Sequence, residues 1–223
     1  MAQYGFYFDN TRCTGCRTCT MACKDYNDLS QTIAFRKVFD YEGGEVTQAE
    51  DGTVTSTCFM YHVSRACQHC DNPACVDVCP QQSMQKDEET GLVFNDPEIC
   101  IGCGSCVNAC PYGVPIVDDE AGICVKCNGC YDRTVAGLAP ICVEACPLRA
   151  LEFGPIDELR AAHPDCNADI APLADPTQTG PNLIVLKSPA AKPFSDTEGI
   201  IGNMEEIEGE PARSIFNDYS IVE

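Results

Sequence analysis

Residues 100–111 read Cys-Ile-Gly-Cys-Gly-Ser-Cys-Val-Asn-Ala-Cys-Pro, a run in which four cysteines are separated by two, two and three residues. Three thiolates spaced in this way can surround one side of a cubane iron–sulfur cluster as a tight loop. We expect the fourth cysteine to begin a helix that points away, with the proline in its first turn. In two-cluster ferredoxins that fourth cysteine binds the neighbouring cluster.

Three further cysteine groups have related spacings. They are Cys13, Cys16, Cys19 and Cys23; Cys67, Cys70, Cys75 and Cys79; and Cys127, Cys130, Cys142 and Cys146. With the fourth cysteines exchanged as in ferredoxins, we expect four ligand sets. The sets are Cys67, Cys70, Cys75 with Cys110; Cys100, Cys103, Cys106 with Cys79; Cys13, Cys16, Cys19 with Cys146; and Cys127, Cys130, Cys142 with Cys23. For the last group the spacing alone leaves a choice, because Cys124, Cys127 and Cys130 are also two residues apart.

The order of the groups predicts an α+β fold of two tandem bacterial 2[4Fe–4S] ferredoxin-like modules, one inserted within the other. The inner module spans residues 63–119, and the outer one is split between residues 1–28 and 120–154. Residues 29–62 are predicted to be a strand-rich, irregular insertion. Residues 155–223 have no cysteine run, and we expect them to form an extended tail that packs on a partner subunit.

Other uses of cysteine explain the pattern less well. A disulfide framework is typical of short secreted chains with an even number of cysteines, whereas this chain has 19 cysteines in 223 residues. A structural zinc-binding protein remains the alternative from another class, although zinc sites pair two distant Cys-x2-Cys knuckles and do not need the third and fourth cysteines of each run. No Cys-x-x-Cys-His motif is present for c-type haem.

The charge of the chain restricts its partners. The formal net charge is −20, so nucleic acid and anionic lipid would be repelled. No run of 18 apolar residues exists that could cross a bilayer. The first ten residues lack a secretory signal, so an exported form would have to travel with a partner that carries one.

Stretches beyond the cysteines resemble one family. They include residues 12–19 (Arg-Cys-Thr-Gly-Cys-Arg-Thr-Cys), 126–133 (Lys-Cys-Asn-Gly-Cys-Tyr-Asp-Arg), 142–151 (Cys-Val-Glu-Ala-Cys-Pro-Leu-Arg-Ala-Leu) and 153–160 (Phe-Gly-Pro-Ile-Asp-Glu-Leu-Arg). They closely resemble the beta, iron–sulfur subunits of dimethyl sulfoxide reductase, within the four-cluster electron-transfer subunits of molybdopterin oxidoreductases. The resemblance is close over residues 3 to 165 and loose in the tail.

This resemblance implies a non-catalytic subunit that passes single electrons between a quinol-linked membrane anchor and a molybdopterin catalytic subunit. It implies membrane association through these partners, on the extracytoplasmic face by co-export with the catalytic subunit, with the cytoplasm as the alternative location. It also selects Cys127 as a ligand. Cys106 stands where the nitrate reductase branch has tryptophan and a three-iron cluster, so four [4Fe–4S] clusters are expected. The alternative keeps the same role in a formate, thiosulfate, arsenate or aromatic dehydroxylase type of molybdenum or tungsten enzyme.

Basic residues close to the cysteine runs are candidates for tuning cluster potentials, because a nearby cation favours the reduced cluster. They are Arg12, Arg17, Lys24, Lys126, Arg133 and Arg149. The three histidines, His62, His69 and His163, are expected to have no ligand role. Cys58, Cys124 and Cys166 are left over as small buried thiols.

Overall fold

The computed structural model describes residues 2–208, so the last fifteen residues of the predicted tail lie outside the described part. The strands are β1 Tyr4–Asp9, β2 Lys37–Gly43, β3 Val46–Gln48, β4 Val54–Ser56, β5 Phe59–Arg65, β6 Met84–Lys86, β7 Val93–Asn95, β8 Ile116–Asp118, β9 Ile123–Val125, β10 Leu151–Pro155, β11 Leu183–Leu186 and β12 Ile200–Ile201. The helices are α1 Thr18–Tyr26, α2 Ala74–Asp77, α3 Ser105–Ala109, α4 Tyr131–Val135, α5 Ile141–Glu144, α6 Ile156–Ala162 and α7 Met204–Glu208, with a single 3-10 turn at Pro176–Gln178. Short helices and short strands are therefore mixed, as the α+β class predicts.

The cluster-loop helices correct one prediction. We expected each fourth cysteine to begin a helix, but α2, α3 and α5 end before Cys79, Cys110 and Cys146, respectively. Three residues between the third and fourth cysteines are enough for about one helical turn. The proline that follows cannot continue a helix, so it marks the end of the turn and not its start.

The central sheet joins the N-terminal strand to two strands from the last third of the chain. Strand β1 pairs antiparallel with β10 and parallel with β11, in the order β10-β1-β11. Phe6 and Phe8 of β1 are almost fully buried and pack into the largest apolar core, which also contains cysteines of the outer groups. This sheet thus holds the first and fourth cysteine groups side by side.

The insertion forms a second sheet, in which β2 pairs antiparallel with β5 over seven residues. Strands β3 and β4 make an exposed hairpin beyond it. Strand β5 continues past residue 62, the β8–β9 hairpin spans residue 119 and β10 continues past residue 154, so three of the predicted boundaries fall inside regular structure. The nesting of two modules remains a proposal.

Residues 155–208 differ from the extended tail that we predicted. Strand β11 completes the central sheet, β12 extends the second sheet along β2, and Ile170 is fully buried between them and the rest of the chain. These apolar segments cover strand edges and core surface of the same chain, which lowers the energy of both. Within residues 2–208, no helix combines the length and apolar composition needed to cross a bilayer.

Candidate metal centres

The first set of thiols lies at one end of the central sheet. One small cavity is lined by Cys13, Cys16, Cys19 and Cys146. Cys146 comes from the fourth cysteine group, 123 positions after the last cysteine of the first group. Burial raises the pKa of Cys13 to about 11, and the neighbouring thiols of Cys19 and Cys146 add to the rise. The structure thus brings together the set predicted from the exchanged fourth cysteine.

A second small cavity is also lined by three cysteines of one group and the fourth cysteine of another. It is lined by Cys79, Cys100, Cys103 and Cys106, and by the additional thiol of Cys124. Cys79 reaches this cavity because α2 carries the chain away from Cys75 by one turn.

The two remaining sets are more deeply buried. Burial raises the pKa of Cys75 to about 12, and the charges of Cys67, Cys110 and Cys70 act on it. Cys23 lies in the same relation to the fourth group, where burial raises its pKa and the thiols of Cys127, Cys142 and Cys130 interact with it. The sixteen predicted ligands therefore fall into the four sets in which we placed them, and their metal ligation is a proposal developed below.

Donors around the sulfur atoms fit iron–sulfur clusters. Backbone N–H groups donate to thiols in three of the sets: Ala150 to Cys146 (3.3 Å), Met84 to Cys79 (3.4 Å), Cys124 to Cys100 (3.3 Å) and Gly129 to Cys127 (3.4 Å). In the remaining set, the hydroxyl of Thr179 donates to Cys70 Sγ at 3.2 Å. Cluster thiolates accept such bonds, which stabilise the negative charge of the reduced cluster.

A mononuclear metal site fits less well. Among residues 2–208, no three His, Cys, Asp or Glu side chains are close enough together to hold a single metal ion. All nineteen cysteines lie in this range, and all are free thiols. A cubane needs a wider arrangement, because each thiolate binds a different iron atom.

Comparisons with known proteins agree with this chemistry. Residues 58–156 match the family described as a 4Fe-4S dicluster domain, and residues 10–27 match a 4Fe-4S binding domain. The B subunit of anaerobic dimethyl sulfoxide reductase from Escherichia coli is 48% identical over 205 residues, which cover 92% of this chain and 98% of that protein. The B subunit from Haemophilus influenzae is 49% identical over 93% of this chain and its own full length. This protein belongs to the family of dimethyl sulfoxide reductase B subunits.

As a member of the B-subunit family, the protein is an iron–sulfur electron-transfer subunit and not a catalytic one, as predicted. The zinc alternative is wrong, because the matching domains are 4Fe-4S domains over both halves of the cysteine pattern. The thiosulfate reductase electron transfer subunit of Salmonella typhi is 41% identical over 70% of this chain and 78% of its own length, so a related role exists in a second reductase.

Among the six basic residues that were expected to tune the B subunit's clusters, Lys126 is the one that reaches a thiol. Its buried Nζ lies 3.6 Å from Cys67 Sγ and donates to the carbonyls of Val93 and Cys127. Burial opposes ionisation of Cys67, but the neighbouring His69 and Lys126 outweigh it and lower the pKa of Cys67 to about 5.

The other five basic residues make contacts elsewhere. Arg12 pairs with Asp9, Arg17 with Asp40 and Glu206, and Arg133 with Glu144. Lys24 donates to three carbonyls of the loop at residues 30–33, and Arg149 donates to the carbonyls of Glu144 and Cys146. The three arginines in ion pairs therefore have partly neutralised charges, and the hydrogen bonds of Lys24 and Arg149 hold loops in place.

Two cations were missed by the sequence reasoning. Arg36 is 3% exposed, lies over the ring of Phe6 and donates to Ser64. Its charge acts on Cys19, which belongs to the set of Cys13, and on Cys142, which belongs to the set of Cys127. Arg65 is also buried and donates to the carbonyl of Gly113 beside Cys110. Arg36 lies in the insertion, thirteen residues after Cys23, so no local pattern pointed to it.

The left-over residues have distinct surroundings. Cys58 is exposed, and Cys166 is half-buried against an apolar cluster away from the four sets. His163 stacks on Tyr7 with the ring centroids 3.7 Å apart. His62 Nδ1 lies 2.7 Å from a carboxylate oxygen of Asp40. His69 is enclosed between two cysteine groups.

Proposed function

We propose that this chain holds four [4Fe–4S] clusters, one in each of the four thiol sets described above, and conducts electrons along them. Each bound cluster would take up and release one electron at a time while its thiolates remain ligated. The chain's own contribution is to hold the thiols, to exclude water from the two buried sets that contain Cys67 and Cys127, and to supply hydrogen bonds that set the cluster potentials.

The observation that carries this proposal is the order of the four sets. Helices α2 and α3 link the two sets of the inner module, which contain Cys67 and Cys103. Helices α1 and α5 link the two sets of the outer module, which contain Cys127 and Cys16. The inner and outer pairs meet where the charges of Cys67 and Cys127 act on each other. The sets therefore form a line with the thiols of Cys103 and Cys16 at opposite ends.

Exposure follows the same order. Cys103 and Cys16 are exposed, whereas every cysteine of the two middle sets is buried or half-buried. Electrons cross between proteins over short distances, so a conductor needs its end clusters near the surface and its middle clusters shielded. The exposed cysteines lie where such a conductor requires them.

An exposed apolar side chain lies next to the cysteines at each end of the line. Ile101, between Cys100 and Cys103, is 60% exposed, and Leu148, which lines the cavity of Cys13 and Cys146, is 41% exposed. An exposed apolar residue beside a candidate cluster is compatible with a surface that binds another protein. These two residues support two docking sites, one at each end of the line.

We assign these docking sites to a molybdopterin catalytic subunit and a quinol-interacting membrane anchor. The assignment is supported by the B-subunit relatives, which are components of a reductase. Membrane association would then come through the partners, on the extracytoplasmic face after co-export with the catalytic subunit. Protease treatment of intact spheroplasts tests the location: digestion is expected there, and protection until lysis would indicate the cytoplasmic face.

A second candidate keeps the conductor and changes the reductase. The similarity to the thiosulfate reductase subunit supports it over 70% of this chain, but the dimethyl sulfoxide reductase relatives align over more than 90%. Anaerobic purification of the native complex decides between the two. We expect a catalytic subunit that reduces dimethyl sulfoxide, and a preference for thiosulfate would select the second candidate.

The exchange of fourth cysteines needs its own experiment. Iron and sulfide content and redox-titrated EPR of the purified complex should show four [4Fe–4S] clusters in this chain, and a smaller number would contradict the proposal. Cys79→Ser should change the same EPR signal as Cys103→Ser, and Cys75→Ser should change a different one. If Cys79→Ser and Cys75→Ser alter the same signal, each group binds its own cluster and the exchange is wrong.

A further inference from the structure

His69 occupies a position that is glycine in the three other cysteine loops. The residue before the second cysteine is Gly15, Gly102 or Gly129 in those loops, and each has a positive φ between 63° and 74°. His69 has the same left-handed conformation, with φ 46°. A side chain in this region is strained, so glycine would be the easier choice if only the loop shape mattered.

The ring of His69 is held in one orientation. Its Nδ1 accepts a hydrogen bond of 2.9 Å from the backbone N–H of Val93, which places the ring proton on Nε2. The carbonyl of His69 accepts bonds from Asn182 Nδ2 at 2.8 Å and from Gln3 Nε2 at 3.3 Å. The residue is fully buried. Contacts from three segments that are far apart in the sequence, at Gln3, Val93 and Asn182, therefore fix where Nε2 points.

Nε2 is a buried donor that faces sulfur. It has no hydrogen-bond partner within the described residues, sulfur included, and the thiols whose charge acts on it are those of Cys67 and Cys127. It also lies against the loop of the fourth group, since a Cβ on Gly129 would be 3.4 Å from it. An unpaired buried N–H is costly unless a charged acceptor is supplied, and a cluster thiolate is such an acceptor.

The two thiols belong to different sets and different modules. Cys67 is in the inner pair of sets and Cys127 in the outer pair, so His69 lies at the single junction across which electrons pass from one pair to the other. Lys126 is close by, but its Nζ reaches only Cys67, at 3.6 Å.

We propose that His69 is a positioning residue whose Nε2–H is shared between the thiolates of Cys67 and Cys127. A hydrogen bond to each sulfur stabilises the reduced form of both clusters and raises both potentials together. The two clusters on either side of the junction are thereby kept close in potential. The inference rests on the proposed ligand sets.

Two variants test the role without forcing the loop into a new shape. His69→Asn keeps a residue type that tolerates positive φ but is too short to reach the two thiols, and His69→Gly restores the residue of the other three loops. His163→Gln is the matched control, because His163 contacts Tyr7 and Glu152 and no predicted ligand. The readout is the midpoint potential of each cluster by redox-titrated EPR, in complexes with unchanged iron content.

We expect a negative shift of two midpoint potentials by similar amounts in either His69 variant, with the other two clusters and the His163→Gln control unchanged. A variant with full iron content that shifts no potential, only one, or all four equally would overturn the role. Loss of iron in both variants would also overturn it, because the residue would then be needed for assembly and not for tuning. The wild-type titration is separate: fewer than four clusters there would count against the proposed function and not against His69.

Discussion

Sγ of Cys106 lies 3.2 Å from Sγ of Cys124, although the two cysteines are 18 residues apart and only Cys106 fits the spacing of a cluster run. The hydrogen bond from Cys124 lowers the pKa of Cys106 to about 6, whereas the same bond raises the pKa of Cys124. As a cluster ligand Cys106 would be a thiolate, which can only accept, so Cys124 would keep its proton and donate. The backbone N–H of Cys124 also donates to Cys100 Sγ at 3.3 Å. It lies beside the thiols of Cys79, Cys100, Cys103 and Cys106, which supports the proposal that Cys127 and not Cys124 is a ligand of the fourth group.

Removing the Cys124 thiol should change one potential. In Cys124→Ala, the cluster held by Cys106 loses a hydrogen-bond donor, and its midpoint potential should fall by about 40 mV, which corresponds to ~1 kcal/mol for a one-electron couple. Redox-titrated EPR measures the shift. Cys58→Ala is the control, because Cys58 is exposed and belongs to no set. An unchanged potential for every cluster would show that the thiol only fills space.

Cys124 should also replace a missing ligand. In Cys106→Ala, its thiol needs to move by only a few ångströms to reach the vacant iron, so the set should still bind a [4Fe–4S] cluster. The double variant Cys106→Ala, Cys124→Ala should lose it or retain a three-iron form. Iron content and the EPR signal of a three-iron cluster distinguish the two. Equal loss in the single and double variants would mean that Cys124 cannot act as a ligand.

The hydroxyl of Thr179 should set the potential of another cluster. It donates to Cys70 Sγ at 3.2 Å and lies 3.3 Å from the hydroxyl oxygen of Tyr112. Thr179→Val keeps the shape and removes the donor, so we expect a negative shift of about 40 mV in the cluster of Cys70 alone. Thr177→Val is the control, since within residues 2–208 the Thr177 side chain bonds only to Asp175. The same titration gives both results, and an equal shift in the control would point to an indirect effect.

Arg17 should hold the end of the described chain in place more than it tunes a cluster. Its guanidinium lies 2.5 Å from Asp40 and 2.9 Å from Glu206 of α7, so two carboxylates already balance its charge. Arg17→Gln should increase hydrogen exchange in residues 196–208 and change cluster potentials little. Arg160→Gln, which removes an exposed pair with Asp157, should leave that segment protected.

The Arg17 contact also predicts an acid limit. The bond from Arg17 lowers the pKa of Glu206 below its ordinary value of 4.5. A carboxyl group with a lowered folded-state pKa stabilises the fold fully above the unfolded pKa, and this stabilisation is lost as the pH falls through the folded pKa. Hydrogen exchange in residues 196–208 should therefore rise below about pH 4.5 in the wild type. Little further rise is expected in Arg17→Gln, and identical profiles would contradict the pairing.

Strand β1 is a short, mostly apolar run that ends just before the first cysteine loop, and β10 begins shortly after Cys146, so local sequence is enough to recognise both. The sequence did not predict that the chain after residue 155 would complete both sheets. Strand β11 is short and lies 174 residues beyond the end of β1, its parallel partner, so its pairing depends on an exposed edge that only the folded protein has. The predicted start of a helix at each fourth cysteine was also wrong, because the proline after that cysteine is compatible with the position just beyond a helix as well as with its first turn.

Local spacing by itself divided sixteen cysteines into four groups, because a loop of two or three residues leaves few ways to place thiols around a cubane. The exchange of fourth cysteines came from the ferredoxin pattern, and the choice of Cys127 over Cys124 came from the family resemblance. Only the tertiary structure decided which donors reach those sulfurs. Thr179 meets Cys70 across 109 residues, and Arg36 meets thiols of groups that begin at Cys13 and Cys127. Cys124 turns toward Cys106 and not toward its sequence neighbour Cys127, because the β8–β9 hairpin places it over the inner set. Such contacts form when distant segments pack to exclude water, and no short stretch of sequence records them.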